Sequence, residues 1–165
     1  MSESRPSEPG EWVLLSYRMP REPSSPRIAL WRKLKRLGVA QISDGLAALP
    51  ADARTREHLE WIADEALEAG GTAAIWIARP AALAQERELA TSMAEARAAE
   101  YRGVLDAAAA AAGLPEAERT SVVRRLRSEL QRINRRDYFP PPEREEARRA
   151  VADLQGTGAA EAVGS

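Results

Sequence analysis

The first half of the chain alternates between runs of apolar residues and segments with helical periodicity. The runs at 12–18 and 72–78 are almost continuously apolar and rich in strand-forming residues, which predicts two strands. Apolar positions across 27–37 and 52–69 recur every three or four residues, which predicts two amphipathic helices. The continuous apolar character of both strands indicates central positions that are buried on two faces.

Between the two helices the pattern predicts a hairpin. Short apolar runs at 39–43 and 46–49 flank Asp44-Gly45, a dipeptide typical of two-residue turns. The element order is therefore β-α-β-β-α-β, which is the order of the ferredoxin-like fold. We predict an α+β domain over residues 11–80, with a four-stranded antiparallel sheet and two helices on one face. The first and fourth strands are expected to be the central pair.

The second half of the chain predicts a helical extension over residues 81–155. Three helices separated by proline- or glycine-containing breaks are predicted, at 81–112, 116–134 and 143–154. The first of them is either one long helix or two helices broken near Thr91–Ser92 or Gly103. Residues 1–10 and 156–165 are expected to be a disordered leader and a disordered tail.

The composition removes several classes of chemistry. The 165 residues include no cysteine, which excludes disulfides, thiol catalysis and zinc–thiolate sites. The single histidine, His58, excludes a multi-histidine metal site and is expected at the surface of its helix. We expect no enzymatic activity, no metal and no cofactor. The alanine run at 107–112 is too short to span a bilayer, and we expect a cytoplasmic protein without a membrane partner.

A net charge of −1 hides two basic segments. The first contains the cations Arg18, Arg21, Arg27, Arg32, Lys33, Lys35 and Arg36. The second contains the arginines Arg124, Arg125, Arg127, Arg132, Arg135 and Arg136. Because local charge suffices to attract a polyanion, both sets are candidates for binding DNA or another anion. The alternatives are that they are solvated faces, or that they pair with the second helix, within the chain or across a dimer, because that helix carries six acidic residues against two arginines.

The proline-rich loop after the first strand is the strongest candidate site. Arg18, Arg21 and Arg27 lie in or beside a stretch of eight residues with three prolines. Guanidinium groups suit phosphates and oxyanions because they can donate two parallel hydrogen bonds. In the alternative interpretation, Glu22 pairs with one of these arginines and simply locks the loop.

Four of the eight aromatic residues are tryptophans. Trp31 and Trp61 lie on the apolar faces of the predicted helices, and Trp12 and Trp76 lie in the predicted strands. Their simplest interpretation is as core residues of one small sheet. The alternative is that an exposed indole stacks on a nucleic-acid base.

Several of these segments together resemble one family. WVLLSYRMPREPSSPR at 12–27, followed by LWRKLKRLG at 30–38, resembles the N-terminal domain of the chromate resistance protein ChrB. Gly70-Gly71, Trp76 and the DYFP stretch at 137–140 fit the same domain, so the resemblance covers about residues 11–155. A looser version of the first motif also occurs in PaaX-type repressors, whose corresponding domain looks like the Cas2 ferredoxin-like fold.

The resemblance implies a bacterial regulator of a chromate-efflux operon that binds DNA and responds to chromate. Full-length members carry a second, C-terminal domain, which we expect this chain to lack. The first hypothesis is therefore a DNA-binding regulatory module that acts as a homodimer on the operator of an efflux operon. The second is a protein-interaction or dimerisation module that contacts no DNA and partners a separately encoded C-terminal effector domain. A Cas2-like nuclease is least favoured, because Arg18 stands where such nucleases place a metal-binding aspartate.

Overall fold

The computed structural model describes the backbone of residues 8–163 and the side chains of residues 8–156. The elements within this range are β1 Trp12–Arg18, α1 Ser25–Leu37, β2 Ala40–Ser43, β3 Leu46–Pro50, α2 Ala53–Glu68, β4 Thr72–Ala78, α3 Leu83–Ala111, α4 Glu116–Arg135 and α5 Glu143–Val163. The predicted α+β class and the β-α-β-β-α-β order are confirmed. The chain forms two compact units, one ending at Met93 and the other beginning at Ala94.

The four strands form one antiparallel sheet with the order β2-β3-β1-β4. The prediction that β1 and β4 are the central pair is wrong, because β3 lies beside β1 in the centre and β4 lies at the edge. β1 and β2 run parallel and one strand apart, and β3 fills the gap between them. The apolar composition of β4 therefore does not reflect burial on two faces, and Trp76 and Ile77 are 57% and 48% exposed.

The core of the first unit lies between the sheet and helices α1 and α2. α2 packs on β1 and β4, and α1 packs beside α2. The fully buried aliphatic side chains include Val13, Leu15, Leu34, Leu49 and Leu59. Ala47 and Ala48 of β3 are also fully buried, although adjacent residues of a strand face opposite sides of the sheet, so this short and weakly apolar central strand is covered on both faces.

Local sequence signals determine where the elements of the first unit end. Gly38 ends α1 in the left-handed conformation, with φ at 73°, as expected of a helix C-cap glycine. Gly45 adopts φ 77° in the β2–β3 turn, where a side chain would meet the carbonyl oxygen of Tyr17. Asp52 begins α2 with a capping box in which its carboxylate accepts from the backbone N–H of Thr55 at 2.7 Å.

The second unit packs the C-terminal part of α3 with α4 and α5. Its core includes Tyr101, Val104, Val123, Ile133 and Val151. α3 is one continuous helix, so the alternative of two helices broken near Thr91–Ser92 or Gly103 does not hold.

Two predicted helix boundaries need correction. α1 begins at Ser25, two residues before the predicted start at Arg27, with Ser24 at its N-cap and Pro26 in its first turn. α5 begins at Glu143 as predicted and continues to Val163, beyond its predicted end at Leu154 and into the segment where a disordered tail from residue 156 was expected. Residues 1–7 of the expected leader and 164–165 of the expected tail lie outside the described residues.

Candidate anion-binding and nucleic-acid interface

An open cleft of about 820 Å³ lies between the end of β1 and the beginning of α1. Arg18 lines it from the last position of β1, Arg21 from the proline-rich loop and Arg27 from the first turn of α1. All three side chains are exposed. The three loop arginines singled out in the sequence are therefore brought together around one cavity.

The other residues lining the cleft add little negative charge. Trp31 and Ile28 line it from α1 and are 50% and 43% exposed. Asp44, in the β2–β3 turn, is the acidic residue of the lining. The Lys35 ammonium lies 4.2 Å from the centre of the Trp31 ring, which brings a fourth cation beside the cleft. The cleft therefore combines several positive charges with an aromatic surface.

Glu22 would neutralise this cleft if it formed an ion pair there. Within the described part of the chain, no hydrogen bond or ion pair joins Glu22 to Arg18, Arg21 or Arg27. The interpretation of the loop as an internally locked salt bridge is therefore not supported. The guanidinium groups can instead donate to an anion from outside the chain.

The remaining cations of the first basic segment lie elsewhere on α1. Lys33 forms an ion pair with Glu65 of α2, with 2.5 Å between the nitrogen and the nearest carboxylate oxygen. Arg36 lines a separate groove of about 320 Å³ between α1 and α2, together with His58 and Trp61. Arg32 is exposed and lines neither cavity. Pairing of the basic helix with the acidic helix, one of the alternatives open from sequence, thus holds for Lys33.

The expectation that all four tryptophans are core residues is wrong for three of them. Trp12 is 2% exposed, but Trp31, Trp61 and Trp76 are at least half exposed. Trp31 and Trp61 lie at the rims of the apolar stripes of their helices, a position that helical periodicity does not distinguish from the centre of a stripe. Trp76 is exposed because β4 is an edge strand, and its indole N–H donates to the hydroxyl of Ser16 at 2.9 Å.

The second basic segment contributes to a groove between α4 and α5. Arg124 and Arg127 line this cavity of about 550 Å³ with Thr120 and Ser128. Arg119 lines the same groove although it was not among the predicted site residues. It is 3% exposed and donates to the carbonyl oxygen of Leu114 at 3.1 Å, so the structure gives it a structural contact. No sequence signal distinguishes Arg119 from the other arginines between residues 116 and 136.

The arginines of the second basic segment divide into those with and those without a side-chain partner in the described part of the chain. Arg136 donates twice to Glu100, at 2.8 and 3.2 Å, and Arg132 pairs with Glu129 at 2.6 Å. Arg127 donates to the side-chain oxygen of Gln155. Arg124, Arg125 and Arg135 complete the six predicted arginines, and these three make no ion pair or hydrogen bond within the described residues. Arg136 is thus held inside the second unit.

Comparison with known proteins places this sequence in a family. Residues 27–111, just over half of the chain, match the family model described as Protein ChrB, N-terminal. The chain belongs to the ChrB N-terminal family. It is also 29% identical over 140 residues to Protein ChrB of Cupriavidus metallidurans strain CH34. That alignment covers 82% of this chain and 43% of the relative, so the chain spans less than half of the relative's length.

The ChrB family match covers part of the candidate cleft. The matched range begins at Arg27 and includes Trp31 and Asp44, whereas Arg18 and Arg21 precede it. It ends with α3 at Ala111, before the arginines of α4. Of the two candidate sites, the family model thus includes part of the cleft at the beginning of α1 and none of the arginines of the groove between α4 and α5.

A buried polar network lies in the second unit of this ChrB-family chain. The hydroxyl of Tyr101 lies 2.7 Å from the carboxylate of Asp137 and 2.9 Å from the side-chain oxygen of Asn134. Burial, and then the hydrogen bond to Asp137, raise the pKa of Tyr101 far above its usual value near 10. Burial likewise lowers the pKa of Arg97, which lies 2.9 Å from Glu100. This network supports the packing of α3 against the end of α4.

Metal-ligand clusters and membrane-spanning helices are both absent from the described part of this ChrB-family chain. Among residues 8–163, no group of three or more histidine, aspartate or glutamate side chains is arranged to hold a metal ion. Across the same range, every helix is too short or too polar to cross a bilayer.

Proposed function

We propose that this chain is a DNA-binding, regulatory module of a bacterial chromate-resistance system, without catalytic activity of its own. The observation that carries the proposal is the convergence of Arg18, Arg21 and Arg27 on one cleft, where no ion pair to Glu22 is found among the described residues. Membership of the ChrB family supports the association with chromate resistance. The proposed DNA target is the operator of an efflux operon.

The chemistry of the cleft supports contacts with a phosphate backbone. Three exposed guanidinium groups can each donate two hydrogen bonds to phosphate oxygens, and such contacts account for much of the affinity of proteins for DNA. The exposed face of Trp31 offers a surface against which a sugar or an unstacked base can pack. Arg124, Arg125 and Arg135 form a second set of exposed cations in the other unit.

The test compares two double variants that remove the same charge. Arg21→Gln with Arg27→Gln removes two cations from the cleft, whereas Arg54→Gln with Arg87→Gln removes two exposed cations from α2 and α3. Binding to the operator is measured by fluorescence anisotropy between low and moderate salt. If both cleft arginines bind phosphates, the slope of log affinity against log salt falls by about 0.9 for each phosphate that is no longer neutralised.

The control variant should keep nearly all of the wild-type affinity and slope, because its charges lie outside the cleft. Equal losses in both double variants would show that only net charge matters and would remove the cleft from the proposal. Melting temperatures should stay close to that of the wild type for both variants, because all four side chains are exposed. A lower melting temperature with unchanged DNA affinity in the cleft variant would identify a structural role instead.

A further inference from the structure

One edge of the sheet is open to pairing with another strand. β4 is paired with β1 on one side, and its other edge has no backbone hydrogen-bond partner among the described residues. Its seven residues, Thr72–Ala78, contain no charge and no proline, and its register with β1 has no bulge. Natural edge strands commonly carry a charged residue, a proline or a bulge, because each of these features hinders pairing with another chain. β4 has none of the three.

The opposite edge of the same sheet is protected. β2 has four residues, and its register with β3 shifts between Gln41 and Ser43. A short, bulged strand offers few consecutive hydrogen-bonding groups to a partner. The capacity for edge pairing is therefore specific to β4, although Ile42 on β2 is exposed to a similar degree, at 44%, as Ile77 on β4.

Exposed apolar side chains cluster along the β4 edge. Trp76 and Ile77 point to opposite faces of the sheet and are 57% and 48% exposed. Leu67, which is 53% exposed, lies on α2 beyond its buried stripe, on the side away from the groove shared with α1. Arg56 and Glu60 occupy the same side of α2 and neutralise each other in an ion pair. The helix-covered face of this edge is therefore largely apolar as well, and the exposed Asp64 is the residue on this side of α2 whose charge no ion pair balances within the described residues.

We propose that β4 is a homodimer interface, in which two copies of the chain pair antiparallel through β4 about a two-fold axis at Ile75. The product is a continuous eight-stranded sheet with the helices of both copies on the same face. A two-fold axis is the usual symmetry of a homodimer and requires a strand that is complementary to itself. The occupant of the edge is thus a second copy of this chain.

The sizes of the side chains along β4 make the strand complementary to itself at one register. With the axis at Ile75, Trp76 lies opposite Ala74 of the partner, and Ile77 lies opposite Ala73 of the partner. Every large side chain off the axis then faces a small one, and all seven residues are paired. Moving the axis to position 76 would place two indoles opposite each other and leave two residues of each strand unpaired. Cross-strand pairs of this kind are the units that stabilise a sheet.

Single-cysteine variants test the register, because the natural chain has no cysteine. In the proposed dimer, the two copies of position 75 have Cα atoms about 4.5–5.5 Å apart, within the range of a disulfide. The two copies of position 72 lie about 20 Å apart, six residues along the strand at about 3.4 Å each. Ile75→Cys should therefore form a cross-linked dimer under mild oxidation, and Thr72→Cys should not. Equal cross-linking of both variants would overturn the register.

Charge substitutions test the interface itself. The full chain should sediment at twice the mass of one 18.0 kDa chain. Ile77→Lys should weaken the dimer by about tenfold or more, because it places an ammonium group in an apolar contact. Ile42→Lys is the matched control on the protected edge and should leave the dimer unchanged. A monomeric wild type, or an equal effect of both lysines, would overturn the proposal. Neither measurement involves DNA, so the outcome is independent of the proposed function.

Discussion

Removal of one hydroxyl group from the second unit should destabilise the protein by a measurable amount. Tyr101 is fully buried, and its hydroxyl lies 2.7 Å from the carboxylate of Asp137, whose side chain is itself fully buried. Tyr101→Phe keeps the ring and its packing and removes the hydroxyl, with its hydrogen bond to Asp137 and its 2.9 Å contact with the side-chain oxygen of Asn134. The substitution leaves a buried carboxylate with one partner fewer.

The expected magnitude follows from the charge of the acceptor. A hydrogen bond to a charged group contributes about 1.5–3 kcal/mol, and a buried group left without its partner bears a desolvation penalty of similar size. The other carboxylate oxygen of Asp137 is buried and has no hydrogen-bond partner, so it offers no obvious compensation. We therefore expect Tyr101→Phe to lower the free energy of unfolding by about 2 kcal/mol.

Urea unfolding followed by far-UV circular dichroism measures this change, because α3, α4 and α5 contribute most of the helical signal. Tyr17→Phe is the matched control: its hydroxyl accepts from Gln41 at 3.2 Å on the surface, and its removal should cost less than about 0.5 kcal/mol. Tryptophan fluorescence reports on the first unit, since all four tryptophans precede Met93. A Tyr101→Phe protein no less stable than the Tyr17→Phe protein would refute the reasoning.

The pH dependence gives a second check on the same hydroxyl. The pKa of Tyr101 is raised in the folded protein, so the protonated hydroxyl stabilises the fold fully below the unfolded pKa of about 10. This contribution is lost as the pH rises through the folded pKa. The stability difference between the wild type and Tyr101→Phe should therefore shrink above about pH 10. A difference that stays constant into that range would contradict the assignment of the hydrogen bond.

Two further predictions concern the first unit. Gly45→Ala should lower the free energy of unfolding by at least about 1 kcal/mol, because Gly45 has φ 77° and an added Cβ would lie 2.5 Å from a carbonyl oxygen of β1; thermal unfolding unchanged from the wild type would contradict this. Asp52→Ala should cost about 1 kcal/mol at neutral pH, because Asp52 caps α2. The hydrogen bond from the backbone of Thr55 lowers the pKa of Asp52, so this stabilisation is present above the unfolded pKa of about 4 and is lost as pH falls through the folded pKa. Stability curves of wild type and Asp52→Ala should therefore converge in acid, and curves that stay parallel would argue against the cap.

The candidate cleft was predictable in part, because its three arginines lie close together in the sequence. Arg18, Arg21 and Arg27 fall within ten residues, and the prolines between them predict a stiff turn that keeps them near one another. The partners of the other cations were not predictable. Lys33 and Glu65 are 32 residues apart, and Arg136 and Glu100 are 36 residues apart, and no sequence spacing indicates that such pairs meet.

The sequence by itself determined the order of the elements in the first unit and most of their ends. Periodicity separates strands from helices, and residues such as Gly38 and Asp52 end or begin a helix through hydrogen bonds within a few residues of themselves. Such local interactions depend on nothing farther along the chain. The hairpin around Gly45 was predictable for the same reason.

Only the tertiary structure decided which strands are central and which surfaces are exposed. β4 is as apolar as β1, but burial depends on the neighbours that a strand acquires, and β3 rather than β4 fills the space beside β1. Small residues such as Ala47 and Ala48 can be fully buried in the centre of a sheet, whereas Trp76 stays exposed at its edge. The hydrophobicity of a side chain sets the free energy that its burial would contribute, and the order of the strands determines whether it is buried.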